Sequence, residues 1–185
     1  MQKGDQGTYL TVTAGLEQSP AFVRHGTILP LKPLPRKSGR LMLADPIVLY
    51  IYLDAQGRAE GSIYLDDGET FAYRGAGHFI YRQIRFAAHQ LDWSKAKLPD
   101  TLQGPIAEHS DTNVIGDVWV TEIRLYAKTT AVASALTIMT SAGTAACSRK
   151  DTVAIEDVDG KTQMLIWKCR PGQLLVRDTW SLHLK

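Results

Sequence analysis

Short runs of hydrophobic positions, some continuous and some alternating with polar ones, are spread along the whole chain. Residues 47–54 are apolar at nearly every position, which predicts a strand buried between two layers. Residues 119–127 alternate, with Trp119, Ile123 and Leu125 on one parity, and residues 174–184 alternate with Trp180 on the apolar side. The other candidate extended segments are residues 12–24, 26–31, 61–65, 79–88, 136–140, 153–156 and 163–169. No stretch keeps a helical period, so the pattern predicts an all-β chain.

Turn residues separate these runs at short intervals. Asp66-Asp67-Gly68 is the strongest signal and predicts a tight hairpin, because Asp and Gly accept the positive φ that such turns need. Ala55-Gln56-Gly57 and Asp159-Gly160 predict two more hairpins. Regular short strands joined by turns are typical of an antiparallel β-sandwich or an open barrel.

Two stretches are polar and lack strand patterning. Residues 30–40 contain Pro30, Pro33 and Pro35, and they predict an extended linker. Its basic side chains form a cluster that we interpret as a solvated surface: Lys32, Arg36, Lys37 and Arg40. Residues 94–113 predict a long loop.

Composition narrows the class of protein. The chain has 185 residues, 44% of them hydrophobic and 22% charged, which is typical of a folded globular protein. The net charge of +2 argues against a general nucleic-acid binder. No apolar run reaches the roughly 20 residues of a membrane span, and the polar residues 1–7 hold no signal-peptide core. A (β/α)₈ barrel, which needs about 250 residues, does not fit.

Candidate chemistry is sparse. The five histidines lack metal-ligand spacing, and we predict no metal and no cofactor. Adjacent carboxylates such as Asp66 and Asp67 point to opposite sides of an extended chain, so they predict a turn rather than a catalytic pair. Trp119 and Trp180 are expected in the core, whereas Trp93 with Tyr81 is the one candidate sugar-stacking platform.

The two cysteines leave two alternatives open. Cys147 and Cys169 are too few for a disulfide scaffold. They form a disulfide if the compartment is oxidising, and otherwise they are two separately buried thiols.

Two longer motifs carry a resemblance. Residues 20–31, PAFVRHGTILPL, and residues 61–73, GSIYLDDGETFAY, together resemble the C-terminal region of glycoside hydrolase family 31. His25 departs from the motif, which usually has glycine there, and it would be strained if that position requires positive φ. The motif positions carried over as structural residues are Arg24, Gly26, Pro30, Asp66, Asp67, Gly68 and Tyr73.

The resemblance implies a fold and a place within a larger enzyme. Residues 1–33 resemble the final strands of a proximal β-sandwich, residues 34–45 a Pro-rich basic linker, and residues 46–185 a distal β-sandwich. The fold expected is therefore an antiparallel β-sandwich preceded by a few strands of a second, incomplete one.

The resemblance also implies a function that this chain does not perform alone. Family members hydrolyse α-glucosidic bonds with retention, through two aspartates on a catalytic barrel. The nucleophile motif and the acid/base loop are absent here, so no catalytic residue is carried over. The implied partners are the missing catalytic barrel and, for an endoplasmic-reticulum subfamily, a β subunit in the lumen. A self-standing carbohydrate-binding or partner-docking sandwich is the alternative.

Overall fold

The computed structural model describes residues 11–96, 116–127, 136–140, 143–155, 162–172 and 174–184. Within these ranges the chain forms ten strands, one helical turn α1 (Ala72–Gly75) and one 3₁₀ turn (Gly39–Met42). The strands are β1 (Thr27–Leu31), β2 (Ile47–Tyr52), β3 (Ala59–Leu65), β4 (Ile80–Ala87), β5 (Gln90–Lys95), β6 (Val120–Ala127), β7 (Leu136–Thr140), β8 (Gly143–Ile155), β9 (Thr162–Lys168) and β10 (Trp180–Leu184). The prediction of an all-β fold is confirmed.

The strands form one closed sheet in the order β1-β2-β6-β9-β8-β7-β10-β5-β4-β3, and β3 meets β1 to complete the ring. The sheet is mixed rather than wholly antiparallel, because β2 pairs in parallel with β6. Parallel neighbours need a crossover connection, and the segment from β3 to β5 supplies it. β1 pairs with β2 along its whole length, from Thr27 opposite Tyr52 to Leu31 opposite Val48. The domain boundaries at residues 33 and 45 stay a prediction.

One hydrophobic core lies inside the ring. β2 is buried on its inward face, at Ile47, Leu49 and Ile51, whereas on its outward face Val48 is buried and the two tyrosines are half-buried. The predicted burial between two layers is therefore complete only on the inward face. Alternate residues of the other strands, including Trp180, contribute the remaining core side chains.

Trp119 is a correction to the predicted core. It is half-buried, whereas its neighbours Val118 and Val120 are buried. The register moves from Ile47 opposite Val120 to Val48 opposite Glu122, so one extra residue is inserted there. This β-bulge reverses the parity of the preceding residues.

Strand boundaries differ from the pattern at four places, one of which is β8, where the strand begins at Gly143 rather than at residue 153. Residues 11–24 form no strand, and their side chains are exposed. Only the end of the 174–184 run is a strand, β10. β5 was not predicted, because its hairpin with β4 lacks the usual turn sequence. The turn lies at Ala88 and His89, whose positive φ angles of 49° and 62° are usually adopted by Asn-Gly.

Two of the three predicted turns lie within the described residues, and neither is a tight hairpin. Asp54 accepts hydrogen bonds at Oδ1 from the N–H groups of Gln56 and Arg58, at 2.9 and 2.8 Å, which holds the first turn. β1 nevertheless lies between the strands that this turn connects. Residues 66–79 form a longer connection from β3 to β4 rather than a tight turn. Asp159-Gly160 lies outside the described residues, although the strands it would join, β8 and β9, do pair antiparallel.

Most of the predicted loop at residues 94–113 also lies outside the described residues, and β5 extends into it as far as Lys95. None of the helices in the described ranges is long and apolar enough to cross a membrane.

Candidate functional site

The first motif holds the start of β1 in the ring. Gly26 has a φ of +79°, which favours glycine. Its N–H donates to the carbonyl of Tyr52 at 2.7 Å, and its own carbonyl accepts from the N–H of Glu60 at 3.0 Å. Arg24 is exposed, and Pro30 is half-buried within β1. Gly26 therefore joins the start of β1 to both neighbouring strands.

His25 is not strained at its position. Its φ is not positive, in contrast to that of Gly26. Histidine in place of the motif's glycine therefore does not have to adopt a left-handed backbone conformation. The ring Nδ1 lies 3.1 Å from the carbonyl oxygen of Leu53. The condition under which we expected strain does not occur.

The predicted extended linker is a folded loop instead. Lys32 donates from Nζ to the carbonyls of Met42 and Leu43 at 2.8 and 2.7 Å, at the end of the 3₁₀ turn. Arg36 forms a two-pronged ion pair with Asp45, at 2.9 and 2.6 Å. Lys32 and Arg36 therefore bind carbonyls and a carboxylate of the protein, whereas the sequence predicted that these side chains are solvated.

Ion pairing and burial shift the pKa values of two side chains in this loop. The hydrogen bonds from Arg36 lower the pKa of Asp45, whose side chain is only 7% exposed. A carboxylate with a depressed pKa stabilises the folded loop above its unfolded pKa, and that stabilisation is lost as the pH falls through the folded value. Partial burial lowers the pKa of Lys32.

The second motif forms a self-contained turn. Asp66 accepts from the N–H of Gly68 at 2.9 Å, and Gly68 has a φ of +66°. Asp67 accepts at Oδ1 from the N–H groups of Glu69 and Thr70, at 3.1 and 3.0 Å, and at Oδ2 from the Thr70 hydroxyl at 2.5 Å. The bonds from Thr70 lower the pKa of Asp67. Both carboxylates thus stabilise a turn.

Aromatic side chains surround this turn. Tyr64 donates its hydroxyl to Asp66 at 3.1 Å and stacks on Phe79 at 5.5 Å, and burial raises its pKa. Tyr73 and Phe71 lie 6.1 Å apart, and the Arg74 guanidinium lies over both rings at 5.6 and 5.4 Å. Phe71 is 73% exposed, a large apolar ring in solvent beside a cation.

The predicted sugar platform of Trp93 and Tyr81 is wrong for Trp93. Trp93 is fully buried, donates from Nε1 to the carbonyl of Val176 at 3.0 Å, and stacks on Trp180 at 5.0 Å. Trp93 pairs with the inward Ile84, whereas Tyr81 is half-buried on the opposite parity of β4. The two rings therefore lie on opposite faces of the sheet.

Sequence reasoning missed an aromatic row on the outer face. Tyr52 stacks on Tyr126 at 4.3 Å, and Tyr50 lies 6.4 Å from Tyr126. Arg124 lies over Tyr50 at 4.9 Å and pairs with Glu122 at 2.6 Å. Burial raises the pKa of Tyr126 to about 12. The signal was the i, i+2 spacing of tyrosines on β2. The rings face one another, so they do not form a flat stacking surface.

No group of three or more potential metal ligands occurs among the described residues. A cleft of about 360 Å³ lies where β1, β3 and β4 meet, lined by Asp54, Arg58, Glu60 and Arg85 among others. Its charges of both signs neutralise one another.

A disulfide joins β8 to the end of β9. Cys147 and Cys169 are bonded, and their residues are 3% and 6% exposed. The structure thereby decides between the two alternatives left open by the sequence.

We expect the double variant Cys147→Ala/Cys169→Ala to be less stable by about 3 kcal/mol, since the bond closes a loop of 22 residues. Urea unfolding under oxidising conditions would measure the loss. Dithiothreitol should lower the stability of the wild-type chain and leave the double variant unchanged. Equal stability of the two oxidised proteins would contradict this prediction.

The geometry defines the class of protein: an all-β domain in which Gly26 forms a strand junction and Asp66, Asp67 and Gly68 form a turn. No family profile matches the chain. It is 32% identical to "Neutral alpha-glucosidase AB" of Mus musculus over 98% of the chain and 17% of the relative. It is 38% identical to "Glucosidase 2 subunit alpha" of Saccharomyces cerevisiae over 50% of the chain and 10% of the relative.

Solved structures agree on the fold. The crystal structure of a glucosidase II α subunit bound to Glc1Man2 matches with a TM-score of 0.67 and 23% identity, over 88% of the chain and 17% of that structure. A heterodimeric complex of endoplasmic-reticulum glucosidase II, with the binding domain of its regulatory subunit, matches with a TM-score of 0.66 and 23% identity, again over 88% and 17%.

The predicted resemblance is confirmed: the chain is homologous to a segment of the α subunits of glucosidase II, in glycoside hydrolase family 31. It spans about 17% of the length of the mouse relative.

Proposed function

We propose that the chain is a non-catalytic β-domain of a longer α-glucosidase and that it supports a catalytic barrel located elsewhere in the same polypeptide. The observation that carries the proposal is that the similarity extends over 98% of this chain but over only 17% of the mouse relative. The site is consistent with support, because its carboxylates Asp66 and Asp67 are bound to their own turn.

The finer proposals concern substrate, compartment and partner. The parent enzyme would remove α-linked glucose from N-glycans in the endoplasmic-reticulum lumen, with a regulatory β subunit. The disulfide between Cys147 and Cys169 supports this compartment independently, since disulfides persist in oxidising compartments. The heterodimeric structural relative supports a β subunit as the partner.

We expect the purified 185-residue chain to release no p-nitrophenol from p-nitrophenyl α-glucoside. The physical reason is that retention requires two carboxylates about 5–5.5 Å apart across the bond. Both Asp67 oxygens instead accept hydrogen bonds within the turn. Steady-state absorbance would measure release, and turnover that persists through purification to homogeneity would contradict the prediction.

The proposal itself is tested by the size of the native polypeptide. An antibody against residues 174–184 should detect a band several times larger than 20.4 kDa in lysate of the source organism. A single band near 20.4 kDa would overturn the proposal and favour a self-standing domain. The carbohydrate-binding alternative depended mainly on Trp93 as a sugar-stacking ring, and Trp93 is buried.

A further inference from the structure

The turn of the second motif contains an Asp-Gly sequence, Asp67-Gly68, in which the polypeptide backbone can rearrange chemically. In such a sequence the aspartate carboxyl group reacts with the amide nitrogen of the next residue, and glycine hinders this attack least because it has no side chain. Gly68 is exposed, and a Cβ there would meet nothing within 4 Å. The sequence is therefore accessible to water and has open space at its glycine.

The rearrangement takes two steps and yields isoaspartate. The Gly68 nitrogen forms a bond to Cγ of the protonated Asp67 carboxyl group, and one carboxyl oxygen leaves as water with the acid proton and the amide proton. Water then adds to the main-chain carbonyl carbon of Asp67 in the resulting succinimide ring, and the bond from that carbon to the Gly68 nitrogen breaks. The main chain now continues through Cβ and Cγ of residue 67. The net reaction changes neither the mass nor the oxidation state of the chain.

Hydrogen bonds of the folded turn oppose the first step. Oδ1 of Asp67 accepts from the N–H groups of Glu69 and Thr70 at 3.1 and 3.0 Å, and Oδ2 accepts from the Thr70 hydroxyl at 2.5 Å. The bonds from Thr70 favour the ionised carboxylate and lower the pKa of Asp67, so less of the reactive protonated acid is present. The N–H of Gly68 donates to Asp66 at 2.9 Å, which fixes the orientation of the attacking peptide group.

We propose that Asp67-Gly68 is a site of isoaspartate formation and that Thr70 suppresses the reaction as long as the turn is folded. The inference goes beyond the proposed function and does not depend on it. Isoaspartate would lengthen the main chain by one carbon atom and shorten the carboxylate side chain by one, which displaces the carboxylate from its three donors. The connection from β3 to β4 would then lose these internal bonds, and the modified residue would become a substrate for an enzyme that methylates the α-carboxyl group of isoaspartate.

The test compares isoaspartate formation in the folded and the urea-unfolded 185-residue chain, aged at neutral pH. Trypsin cleaves after Arg58 and Arg74 and so places the site in one peptide, residues 59–74. Labelling with an isoaspartate carboxyl methyltransferase, followed by electron-transfer fragmentation of this peptide, would measure the modification at residue 67. The folded chain should react several-fold more slowly than the unfolded chain. Asp159-Gly160, in the tryptic peptide of residues 151–161, is the reference in urea, where both Asp-Gly sequences should react at similar rates.

Two variants isolate the contribution of Thr70. Thr70→Val keeps nearly the same shape but lacks the hydroxyl, so in the folded chain it should form isoaspartate several-fold faster than the wild type, because Asp67 loses a hydrogen bond to its ionised form. Thr70→Ser is the matched control, since it keeps the hydroxyl and should react at the wild-type rate. Circular dichroism would confirm that both variants are folded during ageing, and the comparison of folded with unfolded wild-type chain depends on neither variant.

Three results would overturn the proposal. Equal rates at residue 67 in the folded and unfolded wild-type chain would show that the turn gives no protection. Equal rates in folded Thr70→Val and folded wild type would show that Thr70 is not the suppressing residue. Absence of isoaspartate at residue 67 in urea, while Asp159-Gly160 reacts, would show that Asp67-Gly68 is not a reactive site. None of these results bears on the size of the native polypeptide, so the proposed function is tested separately.

Discussion

Replacing Gly61 with alanine is expected to destabilise the chain by about 3 kcal/mol or more. An added Cβ would clash with the carbonyl oxygen of Ile28 and would lie 3.0 Å from its carbonyl carbon and Cβ. These are atoms of β1 where it crosses β3, and backbone atoms cannot rotate away as the end of a long side chain can. The strands must separate, and the hydrogen bond from Glu60 to the carbonyl of Gly26 lies next to the clash.

Urea unfolding of the isolated chain would measure this loss as a shift of the midpoint at constant slope. Gly39→Ala is the matched control, since its Cβ would meet nothing within 4 Å and its φ is not positive. It should be nearly neutral. Gly57→Ala separates the two causes, because Gly57 has open space but a φ of +71°, and it should cost about 1 kcal/mol. A Gly61→Ala variant as stable as Gly39→Ala would show that β1 and β3 do not approach as described.

Sequence patterning could predict the strands but not which strands are neighbours. The continuous apolar run at residues 47–54 predicted β2 to within two residues, since a run with almost no polar position is a clear signature of a strand. The need for glycine at position 61 has no local signature, because it arises from Ile28, a residue of another strand. The same holds for β1, which lies between β2 and β3 and so prevents the expected hairpin.

Errors of parity and of turn type have equally specific causes. A bulge opposite Ile47 moved Trp119 off the core parity, and no residue in the sequence marks it. The β4–β5 turn uses Ala88 and His89 at positive φ, so the usual Asn-Gly signal was absent and β5 went unrecognised.

In the candidate site, too, some features could be predicted from the sequence and others could not. Gly26 and Gly68 were identified from the motifs, and both have the positive φ that explains a glycine. The folded loop around Asp45 could not be predicted, because its stability comes from Arg36 and Lys32, whose side chains looked like a solvated basic cluster. Whether a charged side chain binds a carbonyl or water depends on three-dimensional contacts that composition does not record.

Replacing Trp93 with alanine is expected to cost about 4 kcal/mol, as for other large-to-small changes in a core. The indole is fully buried and stacks on Trp180 with ring planes 10° apart, so its removal leaves a cavity and an unstacked partner ring. The carbonyl of Val176 also loses its donor, Nε1 of Trp93 at 3.0 Å. A buried acceptor left unpaired adds a penalty of about 1–3 kcal/mol when no water replaces the donor.

Two variants separate these contributions. Trp93→Phe keeps an aromatic ring but no N–H, so it should lose less than Trp93→Ala and report the hydrogen bond together with a smaller cavity. Tyr81→Ala removes a half-buried ring from the other parity of β4 and should cost less than either. Equilibrium unfolding, monitored by far-ultraviolet circular dichroism rather than by tryptophan emission, would measure all three.

The same contacts change how a sugar titration must be interpreted. Loss of fluorescence quenching in Trp93→Ala would report a damaged core rather than a lost sugar platform, because Trp93 also holds Trp180 in place. A glycan cannot stack directly on Trp93 of the wild-type chain, since the ring has no exposed surface. If Trp93→Ala proved as stable as the wild-type chain while glycan binding disappeared, the ring would have to be accessible, and the packing of β5 against β10 described above would be wrong.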